Sequence, residues 1–239
     1  MQEILDMTDW LKPIDIYCER LDASWWAEPV NALTNLAFVV AGLLIVTHRQ
    51  KPAALLGALI AVIGVGSFLF HTHANRLTGL IDITFIGVYL ATYAWLWPKW
   101  VWNKAAHVQA GSVLGLLGLI LLASLTNQLI ANVWPDVPPG VYLGALLYVM
   151  ALAVFSTSNL PADTPTNTSN ARMWLWTTAG LFLASLTARQ LDMPLCEHTG
   201  GTHWLWHMFN AGVLYASARA LLAGSCLQAA LEPMRQIKA

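Results

Sequence analysis

The sequence predicts an all-α protein, a bundle of seven transmembrane helices, and three observations lead there. Of the 239 residues 57% are apolar and only 10% are charged, against about 25% charged in a soluble domain. A soluble chain of this length could not hide so much apolar surface in one core, so lipid is the natural solvent for the excess. Apolar runs near the roughly 20 residues a helix needs to cross the hydrocarbon recur along the chain. Twelve Trp are present, and many of them, including Trp25, Trp26, Trp95, Trp97, Trp100 and Trp102, stand at the ends of those runs, as an interfacial aromatic belt requires.

The runs fall at about 30–47, 53–70, 79–97, 107–131, 139–157, 172–188 and 203–223. No period-2 alternation suggests barrel strands. Turn compositions separate the runs: His48 to Pro52, His73 to Arg76, Pro98-Lys99, Trp134 to Gly140 and the polar stretch Ser156 to Asn170. The expected organisation is an extramembrane acidic segment at 1–28, a seven-helix domain at 29–225 and a cytoplasmic tail at 226–239. The first residues are acidic and lack a basic n-region, so no cleavable signal peptide is expected.

Seven spans place the termini on opposite faces. The N-terminal face then carries four basic residues (Lys12, Arg20, Arg76, Arg189) and the other face eight (Arg49, Lys51, Lys99, Lys104, Arg172, Arg219, Arg235, Lys238). The positive-inside rule puts the N-terminus outside and the C-terminus in the cytoplasm. A net charge of -1 gives no sign of nucleic-acid binding.

Ionisable residues near apolar spans are costly and mark functional sites. Ser67 and His71 are four apart near the end of the second span, with Asp82 at the start of the third. His203 and His207 are four apart at the start of the seventh. All five belong to the N-terminal face whichever way the protein sits. Two His four apart can present ring nitrogens to one metal, and a third leaves the fourth tetrahedral position open, the pattern of a catalytic zinc. Taken singly, such a pair is more often packing, haem or interface histidine, a membrane Ser often bonds a neighbouring helix, and an Asp at a span start is commonly a first-turn charge. His73 could be a fourth ligand or a surface loop residue, and the loop is the favoured reading.

Two features of the N-terminal segment stand apart. Asp15, Glu19, Asp22 and Glu28, followed by Asn31 and Asn35, concentrate hard oxygen ligands suited to calcium, with a solvated acidic face and a helix cap as the alternative. Cys18 and Cys196, in the loop before the last span, share the N-terminal face, whereas Cys226 lies near the far end of that span. A Cys18–Cys196 disulfide is therefore expected, favoured by an oxidising exterior.

The residues Asp15-Ile16-Tyr17-Cys18-Glu19, the stretch Trp26 to Leu36, Gly66-Ser67-Phe68-Leu69-Phe70-His71 with Asp82, and His203-Trp204-Leu205-Trp206-His207 resemble the motifs of the alkaline ceramidases, over about residues 15 to 215. The wording of the Glu28 segment looks like a bacterial member. The resemblance implies a seven-helix membrane amidase, in a superfamily that includes the adiponectin and progestin receptors. It implies zinc on His71, His203 and His207, calcium near the N-terminus, and Ser67 and Asp82 in the chemistry. The segment departs from the family in a shorter gap between Glu19 and Glu28, and in Ile16-Tyr17 where Asp-Trp is common. The expected activity is hydrolysis of a lipid amide, ceramide by default, with Asp82 carrying the proton and Ser67 donating to the oxyanion. A receptor of the same superfamily with structural zinc is the alternative. A transporter would need polar residues strung across the membrane or helices broken at midplane, and here they gather at one face.

Overall fold

The computed structural model describes residues 7–48, 50–131, 138–155 and 167–236. Arg49, the loop at 132–137, most of the polar stretch that starts at Ser156, Lys238 and the side chain of Cys226 lie outside the described residues. Among the described residues ten helices follow in chain order: α1 (Met7–Trp10), α2 (Pro29–Thr34), α3 (Leu36–Val46), α4 (Lys51–His73), α5 (Arg76–Trp100), α6 (Ala106–Ile130), α7 (Gly140–Phe155), α8 (Asn167–Gln190), α9 (Cys196–Thr199) and α10 (His203–Gln236). Among the described residues there is no strand, only one antiparallel bridge between Pro13 and Asn75.

Among the described residues four helical stretches are long and apolar enough to cross a membrane: Pro29–Val46 (α2 with α3), α4, α5 and α6. At 16 residues α7 is shorter, and α8 and α10 are not among the four. The chain is thus all-helical with four candidate spans, and the count of seven expected above rests on α7, α8 and α10 as well. The exterior suits lipid. Leu114, Leu121 and Leu129 of α6 are 67%, 60% and 79% exposed, and such apolar surface in water would mark an interface or an aggregation site.

Helix boundaries follow local chemistry. Pro29 opens α2, where a missing N–H costs nothing. Between α4 and α5 only Ala74 and Asn75 intervene. Ala74 adopts a left-handed φ of 39°, and Asn75 then caps α5, its side chain accepting from Thr78 N while the Thr78 hydroxyl accepts from Asn75 N. This tight turn lays the end of α4 against the start of α5. Farther along, α3 and α4 touch backbone to backbone. A Cβ on Gly42 would come within 2.4 Å of the Gly57 carbonyl oxygen, the close approach that small residues permit between membrane helices.

The most extensive helix pairing is α8 with α10, and α3 and α4 also pack on α10. The core between them holds Ile45, Leu56, Ile60, Tyr89, Trp97, Leu175 and Leu221. Tyr89 meets its polar need there by bonding the Ser217 hydroxyl at 2.8 Å. The N-terminal segment runs across the end of the bundle where α4 stops and α5 and α10 begin. Ile14 N donates to Ala74 O at 2.7 Å, and a disulfide joins Cys18 to Cys196, with their Cα atoms 5.4 Å apart. The expected pairing is present.

Candidate metal centre

Three buried imidazoles converge beneath that segment. His71 comes from the last turn of α4, and His203 and His207 from the first two turns of α10. Their ring centroids lie 4.7 to 5.1 Å apart. One ligand atom from each lies within 4.8 Å of the others, so the group could hold a metal ion.

Hydrogen bonds fix how two of the rings are turned. His71 Nδ1 bonds Glu28 Oε2 at 2.6 Å. A carboxylate only accepts, so Nδ1 carries the proton and Nε2 is left as a lone-pair ligand. His207 Nδ1 lies 2.9 Å from Thr34 Oγ1, and that hydroxyl donates to the Val30 carbonyl at 2.8 Å. Thr34 therefore accepts from Nδ1–H, and His207 Nε2 is freed. These are the outer partners that metal-bound histidines generally have. His207 Nε2 and His203 Nδ1 are both buried without a hydrogen-bond partner. Orphaned buried nitrogens cost about 1–3 kcal/mol each, and a cation is what would satisfy them. The donor set, all imidazole with no thiolate, suits zinc with an open position.

Ser67 and Asp82 reach the same place. Both line a cavity of about 70 Å³ together with His203 and His207, room for several waters. One turn of the chain explains the meeting. A Cβ on Gly66 would lie 3.6 Å from Asp82 Cα, so α4 and α5 are in contact at the residue before Ser67. Asp82 Oδ1 is a further buried atom without a partner. The other walls are mainly apolar and aromatic, including Phe38, Ile63, Leu90, Phe182 and Leu214.

A family model described as Ceramidase matches residues 17–231. The chain belongs to the ceramidase family. The match covers the imidazole cluster, Ser67, Asp82 and both disulfide cysteines. Comparison with curated proteins and with solved structures gives no match.

In this ceramidase-family chain each acid read as a possible calcium ligand has a definite setting. Asp15 is exposed. Glu19 caps the start of α2, accepting from Val30 N at 2.7 Å and Asn31 N at 2.8 Å. Asp22 accepts from Ser24 N at 2.7 Å, and the Ser24 hydroxyl first, with this backbone bond, holds its carboxyl below the usual range. Glu28 bonds Arg20, Asn31 and His71. Burial alone would push the Glu28 carboxyl up, but these bonds outweigh it and hold it low. Among the described residues only the three histidines form a group fit for a metal.

Several contributors were not legible in the sequence. Tyr17 stacks on His203 with centroids 3.7 Å apart, and burial raises its phenol above the usual range. Arg189 lines the cavity between the rings of Tyr142 and Trp206, 5.7 Å from each centroid. Asp192 binds the start of α10, accepting from Thr202 N at 2.7 Å and His203 N at 2.8 Å, and also takes Cys18 N at 2.9 Å. Their one sequence signal is charge beside an apolar span, which marks the region but not the role. Gly201, with φ 97°, makes the clamp possible, since a Cβ there would come 2.7 Å from Asp192 Oδ1.

Proposed function

We propose that this protein hydrolyses the amide bond of a membrane lipid, ceramide being the substrate its family implies, at a zinc ion held by His71, His203 and His207. The observation that carries this reading is the convergence, in a ceramidase-family chain, of three buried imidazoles with Ser67 and Asp82 on one cavity wall. When bound, zinc supplies a Lewis acid that polarises a carbonyl and acidifies water.

The chain's own groups divide the remaining work. His71 and His207 are held in one tautomer by Glu28 and Thr34. Asp82, whose Oδ1 faces no donor, accepts a proton from the attacking water and returns it to the leaving nitrogen. The Ser67 hydroxyl donates to the carbonyl oxygen as it gains charge. A C–O bond forms, the C–N bond breaks, and a fatty acid and a long-chain amine leave. Phe38, Ile63, Leu90 and Phe182 give the acyl chain an apolar wall. A receptor with structural zinc is disfavoured, because such a site has no use for a carboxylate oxygen left without a donor beside the cluster.

The reading includes seven spans, with the N-terminal face outside a bacterial inner membrane and a cytoplasmic tail. It rests on the bias of basic residues and on the Cys18–Cys196 bridge, which persists in oxidising surroundings. The acidic segment at 1–28, the membrane domain at 29–225 and the tail at 226–239 are its proposed parts. Metal analysis of purified protein, with fatty-acid release from ceramide in detergent, tests the function. About one zinc per chain and release abolished by a chelator are expected. Folded protein free of zinc and inert toward lipid amides would overturn it.

A further inference from the structure

Arg20 sits inside the acidic segment, 7% exposed, and its guanidinium is surrounded by oxygen. Nε donates to Glu28 Oε1 at 2.5 Å. One terminal nitrogen donates to the carbonyls of Asp22 and Ser24 at 3.1 and 3.4 Å, and the other to the carbonyl of His71 at 3.1 Å. One carboxylate and three backbone carbonyls are the kind of oxygen set that a calcium ion collects. Here a side chain fills it.

We infer that Arg20 is a built-in cation, taking the role a bound calcium would otherwise have in this segment, and that it positions the zinc ligand His71 while making the protein independent of calcium. The inference rests on the zinc reading above. Arg20 is a positioning residue, acting through Glu28. It fixes Oε1 so that Oε2 meets His71 Nδ1, and it holds the backbone of His71 through the carbonyl. Both grips set where the His71 ring points. A guanidinium stays protonated at any working pH, and being covalent it cannot be lost to a chelator. The rigid fork of donors serves several acceptors at once, which the single ammonium of Lys does less well. A calcium ion in the same place would need these oxygens, and would meet a positive charge that no solvent screens.

The test uses the full-length protein in detergent. Thermal unfolding is recorded in calcium chloride and in calcium-free buffer, with zinc at the same saturating concentration in both, and zinc affinity is measured by competition with a chromogenic chelator for wild type, Arg20→Gln and Arg20→Lys. The wild-type melting temperature is expected to be the same with and without calcium. Arg20→Gln is expected to bind zinc about 10–100-fold more weakly, the usual effect of losing an outer partner of a metal site, and Arg20→Lys to recover part of that loss. The Cys18–Cys196 bridge, scored by non-reducing mass spectrometry, certifies the fold of each variant. Should Arg20→Gln fail that check, Arg20→Lys carries the test, with an intermediate loss of zinc affinity expected. A wild type stabilised by calcium would overturn the inference. So would wild-type zinc affinity in a correctly bridged Arg20→Gln, or in Arg20→Lys where that variant alone can be read. A wild type that binds no zinc would overturn the hydrolase reading instead, and the calcium arm would still decide the place of Arg20 as the cation of this segment.

Discussion

Glu28 Oε2 lies 2.6 Å from His71 Nδ1, although 43 residues separate them. The bond joins the N-terminal segment to the end of α4, and it leaves the far nitrogen of the ring free. Glu28→Gln keeps an oxygen acceptor but removes the charge that pairs with Arg20. We expect zinc affinity to fall about 10–100-fold. Stability should fall by about 3–5 kcal/mol, the usual consequence of stranding a buried charge. Chelator competition and thermal unfolding measure the two effects, and unchanged zinc affinity would show that the carboxylate does not orient the ring.

The histidines themselves should matter most for metal content. His203→Ala and His207→Ala each leave two imidazoles, and a zinc with two protein ligands is poorly held. Both variants should purify with little zinc by elemental analysis. Full zinc in either would move the metal away from this cluster.

Ser67 and Asp82 should behave differently, since three imidazoles suffice as ligands. Ser67→Ala and Asp82→Asn are expected to keep zinc and the Cys18–Cys196 bridge while losing hydrolysis. Removal of one oxyanion donor typically costs about 10²–10³ in rate, and loss of a general base about 10²–10⁴. Fatty-acid release under saturating lipid reads the effect. Wild-type turnover by either variant would refute the role assigned to it.

The imidazole cluster was legible because helical spacing and topology are both local rules. Ser67 and His71 share a face of α4, His203 and His207 share a face of α10, and the two-residue turn after His73 returns the chain to Asp82. The disulfide was legible for the same reason, as Cys18 and Cys196 fall on one face. The number of spans was less so. Hydropathy singles out four helical stretches, while α7 is short and α8 and α10 are not among the four. The partners of the acidic segment were not legible, because composition counts carboxylates without saying what occupies their oxygens. Glu19 spends both on the N-terminus of α2 and Glu28 divides its own between Arg20 and His71. A lone arginine among acids does not announce that it will be the centre of the group.

Residue 18 is tied to the α8–α10 connection twice, by the disulfide to Cys196 and by its N–H to Asp192 Oδ2. The bridge closes a loop with a sequence separation of 178, for which chain entropy alone suggests about 5 kcal/mol. Helices already inserted in a membrane constrain that loop, and the Asp192 bond still holds residue 18 when sulfur is lost. The double variant Cys18→Ala/Cys196→Ala should therefore fold and keep zinc, with a modest fall in melting temperature. Asp192→Ala strands the N–H groups of Cys18, Thr202 and His203, each worth about 1–3 kcal/mol when buried and unpaired. It should lower stability more and weaken zinc through the first turn of α10. With both tethers gone, Tyr17 loses what keeps it stacked on His203, and the combined loss should exceed the sum of the two, since residues sharing a partner couple. A thermal-unfolding cycle over the four proteins measures that coupling. Strict additivity would mean that the two tethers secure different structures and that the segment is not held over the metal site as a unit.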